Sequence, residues 1–295
     1  MEAGWHTPVL VEEVLDALAV RPGGVYLDAT LGTGGHAAAI LARLTTGRLI
    51  GVDKDPMALT IAKERLQEFG PRLALVHSSY APLDTILQQA GVNAVDGILA
   101  DLGVSSLQLA TPEKGFSFQT AGPLDMRMDP EGPVTAADWV NRAREQDLAD
   151  ALYRLGEERH ARRIARAIVR ARPVGDTLHL AAVVTGTRKA LGRQKLHPAT
   201  RTFLALRIAV NREQEELEQF LLRVPVALTV GGRVVILSYH SLEDRLVKQT
   251  FRGEAAAGRL RLLTKKVVRP SPREVAANPR ARSARLRAAE RLPVQ

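Results

Sequence analysis

Three carboxylates close apolar runs in the first hundred or so residues. Asp28 ends Val25-Tyr-Leu-Asp28, Asp53 ends Arg48-Leu-Ile-Gly-Val-Asp53, and Asp101 ends Ala94-Val-Asp-Gly-Ile-Leu-Ala-Asp101. Between the first two lies a turn carrying Gly32, Gly34 and Gly35, followed by His36. Glycine lets a backbone take φ > 0 and come close to a ligand with no Cβ in the way. A helix that starts after such a turn presents free N–H groups and partial positive charge. Asp53 stands about 20 residues beyond the turn, where the acid of a doubly wound sheet holds ribose hydroxyls. This chemistry is that of a nucleoside-type cofactor site.

Two cofactor classes fit the glycines. Gly32-x-Gly34-x-x-Ala37 matches the dinucleotide fingerprint, which would place a pyrophosphate at the turn. Asp28, four residues before the first glycine, would repel that pyrophosphate. S-adenosylmethionine carries an ammonium and a sulfonium and no phosphate, so an acid beside the turn suits it. The spacing Asp-x-x-x-Gly-x-Gly-Gly resembles the first motif of the S-adenosylmethionine methyltransferases. A turn that merely joins strand to helix would not call for Asp53.

The elements that must position these groups read as an α/β chain. The β-branched and aromatic run from Val25 is a first strand, and Ala37 to Arg43 begins a helix. Val9, Leu10, Val14, Leu15 and Leu18 fall at helical spacing and predict a helix over the sheet edge. Arg48 to Asp53 is a second strand, and Pro56 to Phe69 a helix with proline in its first turn. Leu73 to His77 is a third strand, delivering Ser78, Ser79 and Tyr80 to the ligand edge; the fourth ends on Asp101. The carboxyl ends of all of them meet one crevice, where open α/β sheets bind ligands.

Asp101-Leu-Gly-Val-Ser-Ser106 sits where amino-group methyltransferases set a polar residue against the target nitrogen, although the Pro-Pro-Tyr signature of the DNA enzymes is absent. Asp101 has a plainer reading as a helix cap. From Leu109 to about Thr200 the α/β rhythm stops. An irregular stretch, Lys114 to Asp129, leads into helical patterns over Ala136–Arg144, Asp147–Tyr153, Glu158–Ala171 and Leu178–Leu191. Thr200 to Leu222 reads as one long helix. Gly231 to Ser241 is a strand running into polar residues, Leu242 to Arg252 a helix, and Arg259 to Val268 a late strand.

The 295 residues are 45% hydrophobic and 25% charged, which describes a globular protein near the size where one core becomes two domains. No cysteine is present, which excludes disulfides and thiolate metal sites and fits a reducing compartment. No apolar run is long enough for a bilayer and no leader is evident, so the expected location is the cytoplasm. The histidines form no metal-binding cluster, and none pairs at i, i+4 with a second ligand type. His240 follows a strand end and either reaches the crevice or bonds only its local backbone. No Ser-His-Asp arrangement follows from spacing.

The formal charge of +9 points to a polyanionic partner. Arg159, Arg162, Arg163, Arg166, Arg170 and Arg172 crowd one segment that contains no acid. From Arg252 to Arg291 there are twelve Lys or Arg against three Glu. With few aromatics interleaved, both stretches suit phosphate contact better than base stacking.

Longer motifs narrow the reading. Leu27-Asp-Ala-Thr-Leu-Gly-Thr-Gly-Gly-His36, Asp101-Leu-Gly-Val-Ser-Ser106, Gly115-Phe-Ser-Phe118, Gly122-Pro-Leu-Asp-Met-Arg-Met-Asp129, His197-Pro-Ala-Thr-Arg-Thr-Phe203, Ser238-Tyr-His-Ser-Leu-Glu-Asp-Arg245 and Asn278-Pro-Arg-Ala-Arg-Ser283 resemble those of the bacterial 16S ribosomal RNA cytosine-N4 methyltransferase H (MraW) family. The likeness runs from His6 to Arg291. It implies a class I S-adenosylmethionine-dependent methyltransferase: a Rossmann-like doubly wound sheet, in two parts (1–108 and 200–295, the latter with a basic C-terminal tail), around a helical substrate-recognition insert (109–199). It implies an N4-methylated cytosine in the decoding region of 16S ribosomal RNA, within the 30S subunit or a late assembly intermediate. It places the cofactor on Gly34, Gly35, His36, Asp53, Tyr80, Asp101 and Gln108, with Asp101 or Ser105 accepting a hydrogen bond from the amine. Tyr80 and Tyr239 stand where phenylalanine is common, an exchange expected to disturb little. A dinucleotide oxidoreductase, a methyltransferase of DNA or metabolites, and a non-enzymatic ribosome-assembly factor remain the rival classes at this level.

Overall fold

A computed structural model describes residues 8–187 and 197–293. His6 and the last residues of the helix expected over Leu178–Leu191 lie outside the described residues. By packing, the chain divides into two compact units, 1–103 with 214–295, and 104–213.

The first unit is built on a seven-stranded sheet. In chain order its opening elements are α1 (Val11–Leu18), β1 (Val25–Asp28), α2 (Gly35–Leu41), β2 (Arg48–Asp53), α3 (Pro56–Arg65), β3 (Leu73–His77), α4 (Leu83–Gln89) and β4 (Val95–Asp101). The second unit holds α5 (Ser106–Ala110), α6 (Ala136–Arg142), α7 (Glu145–Gly156), α8 (Ala161–Arg170), α9 (Thr177–Gly186) and α10 (Thr200–Asn211). The chain then returns through α11 (Glu213–Ala227), β5 (Leu228–Ser238), α12 (Ser241–Ala256), β6 (Leu260–Leu262), α13 (Pro272–Ala277) and β7 (Arg285–Arg291).

The strand order is β3-β2-β1-β4-β5-β7-β6. Strands β1 to β5 pair in parallel, and β7 runs antiparallel between β5 and β6. The order reverses direction between β1 and β4, the switch point at which a doubly wound sheet opens a crevice for ligand. That is the doubly wound architecture expected from the motifs. Leu27, Ile50, Ile98 and Ile236 are fully buried in the core on one sheet face, and Tyr26, Leu49, Leu99 and Val235 in the core on the other, as alternation along buried strands requires.

Three expectations change. The helix read as Thr200–Leu222 is two helices, because Arg212 takes a left-handed φ of 50° between α10 and α11. No glycine or proline announces that break. The basic end is no free tail: Arg285–Arg291 is a strand within the sheet. Leu286, Ala288 and Ala289 are buried, while Arg287 lies 2.7 Å from Asp244 and Glu290 is bracketed by Arg233 and Arg261. Arg291 donates to the Leu228 carbonyl. The late strand, expected over Arg259–Val268, shrinks to β6.

The second unit has its own core, including Met126, Val140, Leu152, Ile164, Ile168, Leu180 and Leu206. The irregular stretch before α6 is stitched into it by backbone bonds that side chains reinforce. Asn211 donates to the Met126 carbonyl at 2.7 Å and accepts from the Met128 N–H at 2.8 Å. Asp125 and Arg127 form a two-pronged pair at 2.8 and 2.7 Å. This motif is structural. Among the described residues, no helix is long and apolar enough to cross a membrane.

Candidate active site

The glycine turn follows β1 directly. Gly32 (φ 53°) and Gly34 (φ 80°) both occupy the left-handed region that a side chain strains. A Cβ on Gly34 would press Leu66 at 2.8 Å, whereas one on Gly32 would meet nothing within 4 Å. The turn is thus packed on one side and open on the other. Gly35 begins α2, and His36 in its first turn is only 6% exposed.

Asp53 ties the second strand to this turn. Its Oδ2 accepts the Gly32 N–H at 2.7 Å and its Oδ1 the Asp55 N–H at 2.9 Å. Burial pushes its carboxyl above the ordinary value, and those two N–H groups draw it back. Each carboxylate oxygen keeps a second lone pair, so ribose hydroxyls remain within its capacity. Tyr80, beyond β3, packs its ring edge-on against Phe220 at 5.3 Å between centroids.

Asp101 ends β4. Its backbone N–H lies 2.6 Å from the Thr30 hydroxyl, and its Oδ1 accepts the Tyr239 hydroxyl at 2.8 Å. His36 Nδ1 is 3.6 Å from Oδ2. Burial raises the Asp101 carboxyl, while His36 and the Tyr239 hydrogen bond lower it. Sequence reasoning assigned no role to Tyr239. Its place at the end of a predicted strand, inside the Ser238–Arg245 motif, was the available signal.

Asp28 is the most perturbed of the three acids. It is 1% exposed, and burial pushes its carboxyl up to about 7, against the pull of His36 and the Thr30 N–H and with a further push from Asp101 and Asp53. The native protein therefore holds a proton, between about pH 4 and 7, that the unfolded chain has lost. Stability contributed by the neutral form is present below that window and falls as pH rises through it. Asp28→Asn cannot ionise and should melt several degrees above the parent near pH 8, with the gap closing by about pH 4. Calorimetric scans across that range check it; a constant gap at every pH would refute it.

Mutually repelling carboxylates around a glycine turn suit a cationic nucleoside donor and oppose a pyrophosphate. The remaining expected site residues lie in the second unit. Ser105 caps α5 by accepting the Gln108 N–H at 3.1 Å, and Gln108 Oε1 accepts the Ser105 N–H at 3.0 Å. His240, the residue left between crevice and backbone, caps α12 as its N-terminal residue, with Nε2 3.0 Å from Glu243.

The MraW methylase family model matches residues 3–292. A ribosomal RNA small subunit methyltransferase H from Koribacter versatilis is 50% identical over 97% of this chain and 94% of its own. A protein of the same name from Solibacter usitatus is 50% identical over 97% of this chain and 99% of its own. A solved putative methyltransferase from Streptococcus mutans, in complex with SAH, is a looser likeness at TM-score 0.46 and 11% identity, over 97% of this chain and all of that one. Matched almost end to end by the family model and at half identity by relatives of its own length, the chain belongs to the MraW methylase family, and S-adenosylmethionine is its methyl donor.

Proposed function

We propose that the protein methylates the N4 amine of a cytosine in the decoding region of 16S ribosomal RNA, acting in the cytoplasm on the 30S subunit or a late assembly intermediate. The observation that carries this reading is Asp101, an acid at the switch point beside the glycine turn, where a carboxylate can take a hydrogen bond from an exocyclic amine. Relatives at half identity bear a small-subunit ribosomal RNA methyltransferase name. Gly34, Gly35, His36, Asp53, Tyr80, Asp101 and Gln108 are the residues that would hold the donor. When bound, S-adenosylmethionine supplies a methyl already activated on a sulfonium. The chain's own work is then alignment, worth about 7–11 kcal/mol in favourable cases, and acceptance of the proton N4 must lose. Asp101, or Ser105 through its hydroxyl oxygen, accepts from the amine. The cytosine is presented from a loop or extruded, at a cost of a few kcal/mol.

Tritium transfer to small subunits, free RNA and DNA in parallel tests this. The expected result is label in 16S RNA recovered as N4-methylcytidine. Label on another base, on DNA alone, or on nothing would overturn it.

For the RNA grip, α8 is the stronger candidate of the two basic stretches. Arg159, Arg162, Arg163, Arg166 and Arg170 are exposed, with Arg166 sharing Glu145 at 3.5 Å. Arg172 belongs to the fold instead: its guanidinium donates to the Val140 and Ala143 carbonyls at 2.7 and 2.6 Å. Changing Arg162, Arg163 and Arg166 to Ala should weaken RNA binding and flatten its logarithmic salt dependence by about 0.7 to 0.9 for each phosphate no longer neutralised. Donor affinity should stay unchanged. Filter binding across a salt series decides: an unaltered slope means these arginines are only a solvated helix face.

A further inference from the structure

Asp101 is held from two sides. Tyr239, 138 residues away in sequence, donates its hydroxyl to Oδ1 at 2.8 Å. Opposite it, His36 Nδ1 stands 3.6 Å from Oδ2. The other imidazole nitrogen, Nε2, lies 2.9 Å from the Val9 carbonyl oxygen. A carbonyl oxygen only accepts, so Nε2 carries a hydrogen. With Nε2 anchored, the ring stands fixed beside Oδ2, at a separation longer than a hydrogen bond. The supports are themselves anchored. Leu10, at a left-handed φ of 54°, gives its N–H to Glu274 at 2.7 Å and so fixes the Val9 carbonyl. Tyr239 gives its own N–H to Glu243 at 2.8 Å.

We propose that Tyr239 is the positioning residue for Asp101, with the anchored His36 ring packed beside the other oxygen: the hydroxyl holds the carboxylate in one orientation, so that its remaining lone pairs meet the amine to be methylated. This rests on the amine-methylation reading above. Glu243 on α12 and Glu274 on α13 face this set, as does Asp28 on β1 once it ionises, and all oppose a further negative charge. Burial acts in the same sense on Asp101, raising its carboxyl, while His36 and the Tyr239 hydroxyl draw it back toward the ionised, accepting form. Burial and Asp101 hold the Tyr239 hydroxyl well above its ordinary value, so it orients and does not supply a proton. The proton released by the methylated amine passes to an Asp101 oxygen. Tyrosine at 239 therefore adds a bond that phenylalanine lacks.

Two measurements test this. In Tyr239→Phe, Asp101 loses a donor to its ionised form, so the acid limb of the single-turnover rate should move to higher pH by about 1 unit. The alkaline plateau should fall by about fivefold, because the ionised carboxylate is no longer held in one orientation, and the KM for RNA should not change. A limb that does not move overturns the role of Tyr239. In the donor-free protein, the Asp101 carboxyl carbon shift should titrate at higher pH in Tyr239→Phe than in the parent, because the hydroxyl favours the ionised form. An Asp101 carboxyl that titrates alike in both proteins overturns the role of the hydroxyl. The carboxyl shifts need no substrate, so failure of the clamp is separable from failure of the RNA reading, which the tritium assay on the parent reports.

Discussion

Asp101→Asn should slow single-turnover methylation at saturating donor by at least ~100-fold while the melting temperature barely falls. The asymmetry follows from where the side chain sits. Backbone pairing of β4 to β5 holds the Asp101 position whatever its side chain. Asparagine keeps an oxygen for the Tyr239 hydroxyl at Oδ1 and removes a carboxylate whose burial is unfavourable. What it cannot do is take a proton from N4, and its amide NH2 points two hydrogens where an acceptor is needed. Asp101→Ala should lose as much rate and also some stability, because it leaves the buried Tyr239 hydroxyl without its acceptor, at about 1–3 kcal/mol. Rapid-quench kinetics on both variants, with melts alongside, reads the two effects separately. Near-normal turnover in the asparagine variant would remove Asp101 from the chemistry.

Asp53→Ala should weaken donor binding by about 2–4 kcal/mol, roughly 30- to 1000-fold in dissociation constant. Two charge-assisted hydrogen bonds to a ribose account for most of that. A second contribution comes from the turn, since Asp53 also receives the Gly32 N–H and thereby sets the open side of the glycine loop. Asp53→Asn separates them. It keeps one acceptor oxygen but sets its NH2 against either the Gly32 or the Asp55 N–H, so it should recover only part of the loss. Calorimetric titration of parent and both variants checks the order, and an unchanged constant in the alanine variant would mean the ribose is held elsewhere.

The amino-acid order alone determined the local elements around the crevice. Apolar runs bounded by glycine on one side and an acid on the other marked β1 and β2 to the residue, because burial on both faces and a turn at each end leave few other uses for such runs, and the apolar run Leu73-Ala-Leu-Val76 marked the edge strand β3. The glycine turn, with Asp53 beyond it, was legible for the same reason: positive φ and close approach restrict the residue types. The tertiary structure alone decided what depends on partners far along the chain. Arg285–Arg291 reads as a basic tail because only Leu286 and the two alanines mark its buried face. It becomes a strand once Asp244 neutralises Arg287 and β5 offers a free edge. Arg172 reads as one more phosphate contact until the carbonyls at the end of α6 claim it. The break at Arg212 carries no glycine or proline, so local propensity is silent and the packing of each helix into its own core sets it. Tyr239 and His36 meet Asp101 only because β5 pairs beside β4 and α2 starts above the switch point. No spacing along the chain encodes those distances, since strand order is fixed by pairing energies summed over the whole sheet.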